Sequence, residues 1–258
     1  MNATLKLPSK EQERIKKLLL EEGFEEVQAK DALWALRKEG VKVVLYPSGT
    51  LLLQGKGAEE TKDRLLELIQ PVKEVVVGCD ESGKGDVFGP LVLCCAVAKP
   101  EHYKKVLALN IRDCKRMSDE EVVKKFSQLK EFLDFRHILV EPSELNELYE
   151  RHGNLNRILH LLYGELLGRL LKEHPEAEFR IDAYAKRSPF PRNVIFEPEG
   201  EKDPMVASAS VCARALFLEW LRDRNLPKGS SREVMELARR LYRKYPEEAK
   251  RLLKTFFL

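Results

Sequence analysis

Apolar and polar positions alternate with a helical period over residues 10–22 and 59–69, and this predicts two amphipathic helices. A capping-box pattern, Ser9-x-x-Gln12, precedes the first helix, and Gly23 follows it. Three short runs between the helices are rich in aliphatic and β-branched residues and predict strands, at 32–37, 41–46 and 50–54. The first part of the chain is therefore a small α+β unit, whose sheet is expected to leave one face open.

From residue 75 onward, apolar runs of strand length alternate with longer stretches of helical period. The runs predict strands at 75–77, 91–97, 137–140, 179–182 and 194–196. The longer stretches predict helices at 102–109, from 118 onward, and at 144–149, 155–173, 205–222, 230–244 and 247–256. Such alternation indicates an α/β layer fold. Pro71 and Val72 separate the two parts, so we expect two domains, 1–70 and 71–258.

Composition narrows the classes of protein to which the chain can belong. The 258 residues are 43% hydrophobic, which suffices for a packed core. Because we find no apolar run of transmembrane length and no secretion signal, we expect a cytoplasmic protein without a membrane partner. The cysteines form no CxxC pair and are expected to be reduced thiols, mostly in the core: Cys79, Cys94, Cys95, Cys114 and Cys212.

The net charge of the chain is only +3, so any affinity for nucleic acid has to come from local basic patches. Segment 30–56 has five basic residues against two acids, and it also contains Trp34 and Tyr46. Segment 224–258 has ten basic residues against four acids. Both segments are candidate surfaces for a phosphate backbone, and solvated faces are the alternative interpretation.

The stretch after the strand at 75–77 combines acids, glycines and a lysine. Asp80 and Glu81 come at the end of the strand, and the segment 82–85, Ser-Gly-Lys-Gly, follows them. Carboxylates at the end of a buried strand are costly unless they hold a cation or a hydrogen-bond network. Glycines and a lysine beside them suit a close approach to phosphates. The stretch therefore predicts a metal site that faces a polyanion.

Two other interpretations of this stretch remain. Strand–turn–strand segments with glycine and aspartate are common, so a plain structural turn is one of them. The spacing Gly78-x4-Gly83-Lys84 also approaches the phosphate-binding loop of NTPases. However, Gly85 stands where that loop needs the Ser or Thr that holds magnesium, and the two acids bring negative charge into the cradle.

Asp182 ends an apolar run in the same way as Asp80 does, so it is the natural third carboxylate. A fourth acid is expected before the helix of small residues at 205–222, where three candidates compete: Glu199, Glu201 and Asp203. Four carboxylates from separated segments form an oxygen-rich site suited to Mg²⁺ or Mn²⁺. Two such ions can clamp the attacking water and the leaving oxygen of a phosphodiester.

Residues 78–91, GCDESGKGDVFGPL, resemble the signature of the type 2 ribonucleases H. The form SGKGD at 82–86, together with an N-terminal extension, resembles the ribonuclease HIII branch of that family. Further matches follow along the chain: DCK at 113–115, where the family commonly has DSK, GNLN at 153–156, ID at 181–182, ASASVCAR at 207–214 and LPKG at 226–229. The resemblance covers about residues 72–258.

The resemblance implies a ribonuclease H-like mixed sheet flanked by helices, with a small N-terminal α+β domain that resembles the TATA-binding protein fold and holds substrate. It implies hydrolysis of the RNA strand of RNA/DNA hybrids, with 3′-hydroxyl and 5′-phosphate ends. Two metal ions would be bound by Asp80, Glu81, Asp182 and a fourth acid. Gly200-Glu201 fits the glutamate that this branch uses, although the spacing to the small-residue helix is one residue short, so the other two candidates stay open.

The resemblance also implies which residues meet the substrate. Those that would contact the RNA backbone and its 2′-hydroxyls are in the glycine-rich segment: Ser82, Gly83, Lys84 and Gly85. Lys115 would support the site electrostatically. Cys114 replaces the usual serine of the family, which weakens any role for a hydroxyl at that position.

Other functions remain as alternatives. A ribonuclease HII-like enzyme would cut at single ribonucleotides in duplex DNA, and a non-catalytic protein would bind hybrids without cleaving them. The approximate phosphate-binding loop would instead give an NTPase. His152 and His160 are expected to be structural, and no spacing of His or Cys suggests zinc. A monomer is expected.

Overall fold

Two five-stranded sheets form the frame of the protein, one in the sequence before residue 55 and one after residue 75. The computed structural model describes residues 1–111, 114, 117–186, 188–191, 194–198 and 200–258, and of Glu201 only the backbone. The predicted fold class, a mixed α/β sheet flanked by helices with a small N-terminal α+β unit, is confirmed.

The first sheet is antiparallel throughout, in the order β1-β5-β4-β3-β2. Its strands are β1 (Asn2–Lys6), β2 (Glu25–Glu26), β3 (Trp34–Lys38), β4 (Val41–Leu45) and β5 (Thr50–Gln54). Helices α1 (Ser9–Glu21) and α2 (Ala58–Leu68) cover one face, where Leu51 and Leu53 are fully buried. The sequence analysis did not predict β1 and β2.

The predicted capping box of α1 is wrong. The N-cap is Pro8, which has no side chain that can accept a hydrogen bond, and Ser9 is already the first helical residue. Gln12 Nε2 instead donates to the carbonyl of Leu7 at 3.3 Å. The proline ring fixes the φ angle of Pro8 at −57°, and the helix begins at the next residue without a side-chain cap.

The second sheet is mixed, in the order β10-β9-β6-β7-β8. Its strands are β6 (Val76–Ser82), β7 (Leu91–Ala98), β8 (Asp134–Val140), β9 (Glu178–Asp182) and β10 (Val194–Glu197). β6, β9 and β10 run parallel, whereas β7 pairs antiparallel with β6 and β8. β6 is longer than the apolar run that predicted it, because its pairing with β7 continues as far as Ser82.

Seven helices are described around and beyond this sheet. They are α3 (Pro100–Leu109), α4 (Asp119–Leu129), α5 (Pro142–His152), α6 (Leu155–Glu173), α7 (Pro204–Asp223), α8 (Arg232–Lys244) and α9 (Pro246–Lys250). Ser118 caps α4, since its side chain accepts a hydrogen bond from Glu121 N at 3.2 Å. α9 is shorter than the helix predicted at 247–256, because the chain after it turns back onto residues 86–89.

α7 packs directly on β6 and β7 from one side of the second sheet. Its small residues at 207–210 are buried, as the pattern predicted. A Cβ on Gly78 of β6 would lie 2.1 Å from the carbonyl carbon of Met205, so this glycine lets the helix and strand backbones touch. By length and composition α7 could also cross a membrane, but 83% of its apolar window is buried in the fold. We therefore interpret it as the core helix.

The apolar core is continuous between the two halves of the chain. One cluster joins residues around α1 and α2 to Tyr103 of α3 and Met205 of α7. α3 also packs against β1. A second cluster lies on the opposite face of the second sheet, under α5 and α6. The second sheet is therefore covered on both faces, as parallel strands require.

The expectation that all cysteines are reduced is wrong for one pair. Cys79 of β6 and Cys95 of β7 form a disulfide and lie directly opposite each other in the register. Both are fully buried, so the bond lies inside the core. The thiols of the other cysteines remain, at Cys94, Cys114 and Cys212.

Candidate active site

The parallel strands β6 and β9 end at the same edge of the second sheet, and each carries an aspartate there. Cys79 pairs with Ile181, so the next residues, Asp80 and Asp182, lie side by side where the pairing of β6 with β9 ends. Asp182 Oδ1 accepts a hydrogen bond of 2.8 Å from Gly200 N. The structure thus places the predicted third carboxylate beside the first.

Asp80 lies against α7. The Ser210 hydroxyl donates a hydrogen bond to its carboxylate, and Ser210 Oγ is 3.0 Å from Cys114 Sγ. Asp80 Oδ1 also accepts a bond of 2.8 Å from the Glu81 backbone N–H. Burial is the largest of the causes that together raise the pKa of Asp80 to about 8, and the charges of Glu81 and Asp182 also contribute to the rise. The site therefore disfavours the ionised form of Asp80 as long as no cation offsets these charges.

Glu81 is held by Tyr163 of α6. Glu81 Oε2 accepts a hydrogen bond of 2.8 Å from the Tyr163 hydroxyl, and the Glu81 side chain is only 10% exposed. Burial, followed by the charges of Glu81 and Asp80, raises the pKa of Tyr163 well above its ordinary value, so the phenol remains a donor. The other oxygen, Oε1, lies 4.0 Å from Nζ of Lys84.

The loop between β6 and β7 wraps over Phe217 of α7. Gly83 and Gly89 have φ values of 89° and 88°, a conformation that strains L side chains. A Cβ on Gly83 would lie 2.1 Å from the Pro90 carbonyl oxygen, and one on Gly89 would lie 2.8 Å from the Phe217 ring. Both positions therefore need glycine for conformation and for space. A Cβ on Gly85 would have no described atom within 4 Å, so the surroundings of this glycine are open.

One cavity of about 550 Å³ contains the three acids and the glycine-rich segment. The predicted residues that line it are Asp80, Glu81, Ser82, Gly83, Lys84, Gly85 and Asp182. Further charged residues line the same cavity, namely Asp86, which directly follows the segment, and Asp119, Arg214 and Lys228 from more distant parts of the chain. The predicted metal site required its acids to converge in one pocket, and three of them, Asp80, Glu81 and Asp182, do.

The NTPase hypothesis is wrong. A phosphate-binding loop joins a strand to the N-terminus of a helix, which contributes its dipole and N–H groups. After Lys84 the chain instead returns as the antiparallel strand β7. A plain structural turn does not account for the stretch either, because Asp182 from another strand meets its two acids in one cavity.

Among the three candidates for a fourth acid, only Asp203 has a described side chain. Its Oδ1 accepts hydrogen bonds from Met205 N at 2.8 Å and Val206 N at 3.1 Å, which caps α7. Its other oxygen forms an ion pair with Arg180. Both oxygens of Asp203 thus have structural partners, which disfavours a metal-binding role.

Glu199 and the side chain of Glu201 lie outside the described residues. The backbone of Glu201 belongs to a 3-10 turn, Gly200–Lys202, that packs on the third carboxylate. A Cβ on Gly200 would lie 2.8 Å from the Asp182 Cα, so glycine is needed for this contact. Gly200 therefore lies against Asp182, and the backbone of Glu201 follows it directly.

The predicted Lys115 also lies outside the described residues. Cys114 lines the cavity and contacts Ser210, so a thiol extends the hydrogen-bond chain that reaches Asp80. His152 ends α5, and the ring centroids of His160 and Phe190 are 5.8 Å apart. Neither histidine lines this cavity.

Sequence reasoning missed two side chains that orient the acids. Ser210 was noted only as one of the small residues of α7, although a hydroxyl on a buried helix face needs a partner. Tyr163 belongs to the amphipathic α6, where a phenol in an apolar stripe was the available signal. Arg214 and Lys228, which bring positive charge to the cavity, were part of quoted motifs but were given no role.

The donor set fits a divalent cation. A cation beside Asp80 would offset both the burial and the like charges that raise its pKa. Carboxylate oxygens are the ligands that Mg²⁺ and Mn²⁺ prefer. Among the side chains that the structure describes, no three potential ligands already form a closed metal cluster. The acids therefore form an open site, and further ligands have to complete the coordination.

Comparison with known proteins agrees with this geometry. The ribonuclease HII family model matches residues 77–252. Ribonuclease HIII of Aquifex aeolicus (strain VF5) is 42% identical over 250 residues, which cover 95% of this chain and 96% of that protein. Ribonuclease HIII of Protochlamydia amoebophila is 28% identical and covers 92% of this chain and 87% of its own length.

Solved structures match over nearly the whole chain. The crystal structure of Aquifex aeolicus RNase H3 has a TM-score of 0.64 and 40% identity, and covers 99% of this chain and 100% of that one. The crystal structure of Bst-RNase HIII in complex with Mn²⁺ has a TM-score of 0.67 and 26% identity, and covers 99% of this chain and 96% of that one. Since the likeness spans both sheets and includes the acid-bearing strands, the chain belongs to the ribonuclease HIII family of ribonuclease H hydrolases.

Proposed function

We propose that this protein is an endoribonuclease that hydrolyses the RNA strand of RNA/DNA hybrids with two divalent ions, Mg²⁺ or Mn²⁺. The observation that carries the proposal is the convergence of Asp80, Glu81 and Asp182 in one cavity beside a basic, glycine-rich loop. Family membership supports the ribonuclease H reaction. The complex of Bst-RNase HIII with Mn²⁺ supports the class of ion.

Asp80, Glu81 and Asp182 would hold the ions, and we assign Glu201 as the fourth ligand. When bound, the ions supply an activated water and stabilise the oxygen that leaves the scissile phosphate. Hydrogen bonds from α7 and α6 fix the first two carboxylates before substrate arrives. Preorganised ligands lower the cost of orientation in the reaction. Cleavage would leave a 3′-hydroxyl and a 5′-phosphate.

The glycine-rich segment would receive the RNA strand. Ser82 and Gly83 begin the loop, and Gly85 lets a sugar–phosphate backbone approach because its surroundings are open. Lys84 is 37% exposed at the cavity, where its ammonium can meet a phosphate. Contacts with 2′-hydroxyls at this short range would distinguish RNA from DNA. Lys115 keeps its proposed role of electrostatic support.

We further propose that residues 1–70 form a substrate-holding domain and residues 71–258 the catalytic domain. Arg37 is exposed on the first sheet, and Lys42 is partly exposed. Trp34 is buried in the apolar core, so its ring does not belong to this docking surface. Basic groups on a sheet surface suit a duplex backbone that needs no sequence readout.

RNA/DNA hybrids form where RNA meets chromosomal DNA, so the substrate class favours a cytoplasmic enzyme. We propose that it acts as a monomer and has no membrane partner. Disulfides are rare in that compartment outside hyperthermophiles. The Cys79–Cys95 bond is fully buried, and its burial hinders access by cellular thiols. A buried disulfide is therefore compatible with this assignment.

Cleavage of an end-labelled RNA/DNA hybrid tests the proposal. We expect products with 3′-hydroxyl ends when Mg²⁺ or Mn²⁺ is present, and none with the Asp80→Asn variant. Near wild-type cleavage by that variant would end the metal-site assignment. Binding of the hybrid without any metal-dependent product would favour the non-catalytic alternative.

A second candidate function follows from the match to the ribonuclease HII family model. An enzyme of that kind would cut duplex DNA at a single embedded ribonucleotide. The same assay with that substrate separates the two functions. We expect faster cleavage of the long hybrid, and the reverse preference would favour the second function.

A further inference from the structure

Lys254 is a fully buried lysine in the C-terminal segment beyond α9. It lies two residues past the segment 77–252 that the family model matches. The function proposed above makes no use of it. A buried ammonium is costly unless its donors are satisfied, so the partners of this side chain indicate its role.

All three donors of the amine reach one short segment of backbone. Lys254 Nζ donates to the carbonyl oxygens of Asp86 and Gly89 at 2.7 Å each, and to that of Phe88 at 3.3 Å. The Lys254 backbone N–H donates to the Val87 carbonyl at 2.8 Å. One residue therefore binds every carbonyl from position 86 to position 89.

Other hydrogen bonds from the C-terminal part of the chain hold the same segment. Gly89 N donates to the Leu252 carbonyl at 3.0 Å, and Val87 N donates to the Gly229 carbonyl at 3.1 Å. Gly229 N in turn donates to Asp86 Oδ1 at 2.6 Å. Since residues 86–89 lie between β6 and β7 and belong to neither strand, these long-range bonds fix their position.

The segment that carries Lys254 is itself anchored to α5. Asn146 Nδ2 donates to the carbonyls of Leu253 at 3.0 Å and Lys250 at 3.3 Å. Asn146 Oδ1 accepts a bond of 2.8 Å from Thr255 N. The amine of Lys254 therefore projects from a fixed backbone, and its contacts transmit that position to residues 86–89.

Residues 86–89 directly follow the glycine-rich segment that lines the active-site cavity. One end of that segment is fixed by the pairing of β6 with β7 as far as Ser82. The Lys254 contacts fix the other end. The stretch between them, residues 83–85, bridges two anchors and is the part that faces the cavity.

We propose that Lys254 is a positioning residue for substrate binding, which holds the end of the glycine-rich loop through the carbonyls of Asp86, Phe88 and Gly89. This inference rests on the ribonuclease function proposed above. Without the amine, residues 83–85 lose one anchor and receive the RNA strand less well. Asp80 and Glu81 keep their places, because strand pairing and bonds from α7 and α6 hold them.

Steady-state kinetics on a long RNA/DNA hybrid with saturating Mn²⁺ test this role. Lys254→Met keeps most of the stem and removes all three donors, and Lys254→Gln keeps two donors on a shorter side chain. We expect Lys254→Met to raise KM about tenfold or more while kcat stays within about threefold, since buried carbonyls lose their partners. Lys254→Gln should give a smaller rise in KM.

Lys250→Met is the matched control. Lys250 is the last residue of α9, four positions before Lys254, but its ammonium is exposed and lies 2.9 Å from Glu247 Oε1. Its loss removes an amine on the same kind of side chain without touching residues 86–89, and it should leave KM unchanged. An equal rise in KM in this variant would show that the positive charge of the C-terminal part matters and the contacts of Lys254 with residues 86–89 do not. That result would overturn the proposal.

Folding is checked by the thermal midpoint and by exchange of the Val87 and Gly89 amide protons. A folded Lys254→Met variant with wild-type KM, or one with reduced kcat and unchanged KM, overturns the positioning role. If Lys254→Met does not fold, Lys254→Gln is judged by the same two outcomes. If the wild-type protein fails to cleave hybrids, the proposed function is wrong. The hydrogen bonds from Lys254 to residues 86–89 are then tested by amide exchange alone. Faster exchange in Lys254→Met than in Lys250→Met supports their positioning role, and equal exchange refutes it.

Discussion

Replacing Tyr163 by Phe tests whether Glu81 is oriented from the α6 side of the sheet. The Tyr163 hydroxyl donates a 2.8 Å hydrogen bond to Glu81 Oε2, and the ring is fully buried. Tyr163→Phe keeps the ring and its stacking on Tyr184, with centroids 5.4 Å apart. It removes only the hydroxyl. Glu81 then loses a donor on the side away from Lys84, whose Nζ is 4.0 Å from Oε1, and is expected to turn toward that cation.

A hydrogen bond to a charged group contributes about 1.5–3 kcal/mol. If that energy acts wholly to hold Glu81 in its reactive orientation, its loss lowers kcat about 10- to 150-fold. KM for the hybrid should change less than about threefold, because the RNA contacts are assigned to the neighbouring loop. The assay is cleavage of a labelled hybrid over a range of Mn²⁺ concentrations. We also expect the half-saturating Mn²⁺ concentration to rise.

Tyr103→Phe is the control for this prediction. Tyr103 is only 2% exposed, and within the described part of the chain its hydroxyl has no hydrogen-bond partner. Its removal should leave kcat unchanged and stability equal or slightly higher. Wild-type kcat and metal dependence in Tyr163→Phe would refute the orienting role. Equal losses in both variants would show that the cause is a general change in packing.

Four further predictions concern Asp80, the metal requirement and the N-terminal unit. Asp80→Asn should lower kcat about a thousandfold or more, as loss of a catalytic group does, and hybrid cleavage with Mg²⁺ checks it. Chelation of divalent ions should stop cleavage and added Mn²⁺ should restore it, so full activity in a chelator would contradict the metal requirement. Deletion of residues 1–70 should raise KM more than it lowers kcat, and an unchanged KM would contradict the substrate-holding role. Because the fold raises the pKa of Asp80 from 3.8 to about 8, this group costs the metal-free protein stability as pH rises from about 4 to about 8. The thermal midpoint of Asp80→Asn should therefore exceed that of the wild type more at about pH 8 than at about pH 5, and Mn²⁺ should narrow the gap.

The acid-bearing strands were predictable because their signals are local. Short apolar runs end in Asp80 and in Asp182, and both runs are strands in the structure. Parallel strands bring their carboxyl ends to one edge of a sheet, so the meeting of the two acids follows once the α/β pattern is recognised. The sequence alone was therefore enough to predict that Asp80 and Asp182 lie close together.

Two features that the sequence pattern did not predict, a strand and a disulfide, depend on strand pairing. β1 (Asn2–Lys6) begins and ends with polar residues, and it is a strand because β5 pairs along its whole length. The Cys79–Cys95 disulfide likewise depends on the register between β6 and β7. Registers of this kind are set by contacts across the sheet, and spacing along the chain does not reveal them.

The side chains that orient the site were harder still, because their partners are distant in sequence. Tyr163 is 82 positions from Glu81, and Lys254 is 168 positions from Asp86. Each has an ordinary place in the local pattern, as an aromatic on an amphipathic helix or a lysine near the end of a basic segment. Only tertiary packing gives them a buried polar partner, and with it a role.

The separate anchors of the site imply that metal binding and RNA binding can be perturbed independently. Asp80 and Glu81 are held by Ser210 of α7 and Tyr163 of α6, from helices packed on the sheet. The loop that follows them is held by Lys254 from the C-terminal segment. Changes at α6 or α7 should therefore act on kcat and metal dependence, and changes at the C-terminal segment should act on KM. If a double variant, Tyr163→Phe with Lys254→Met, lost activity by much more than the product of the single losses, the two anchors would be coupled and this division would fail.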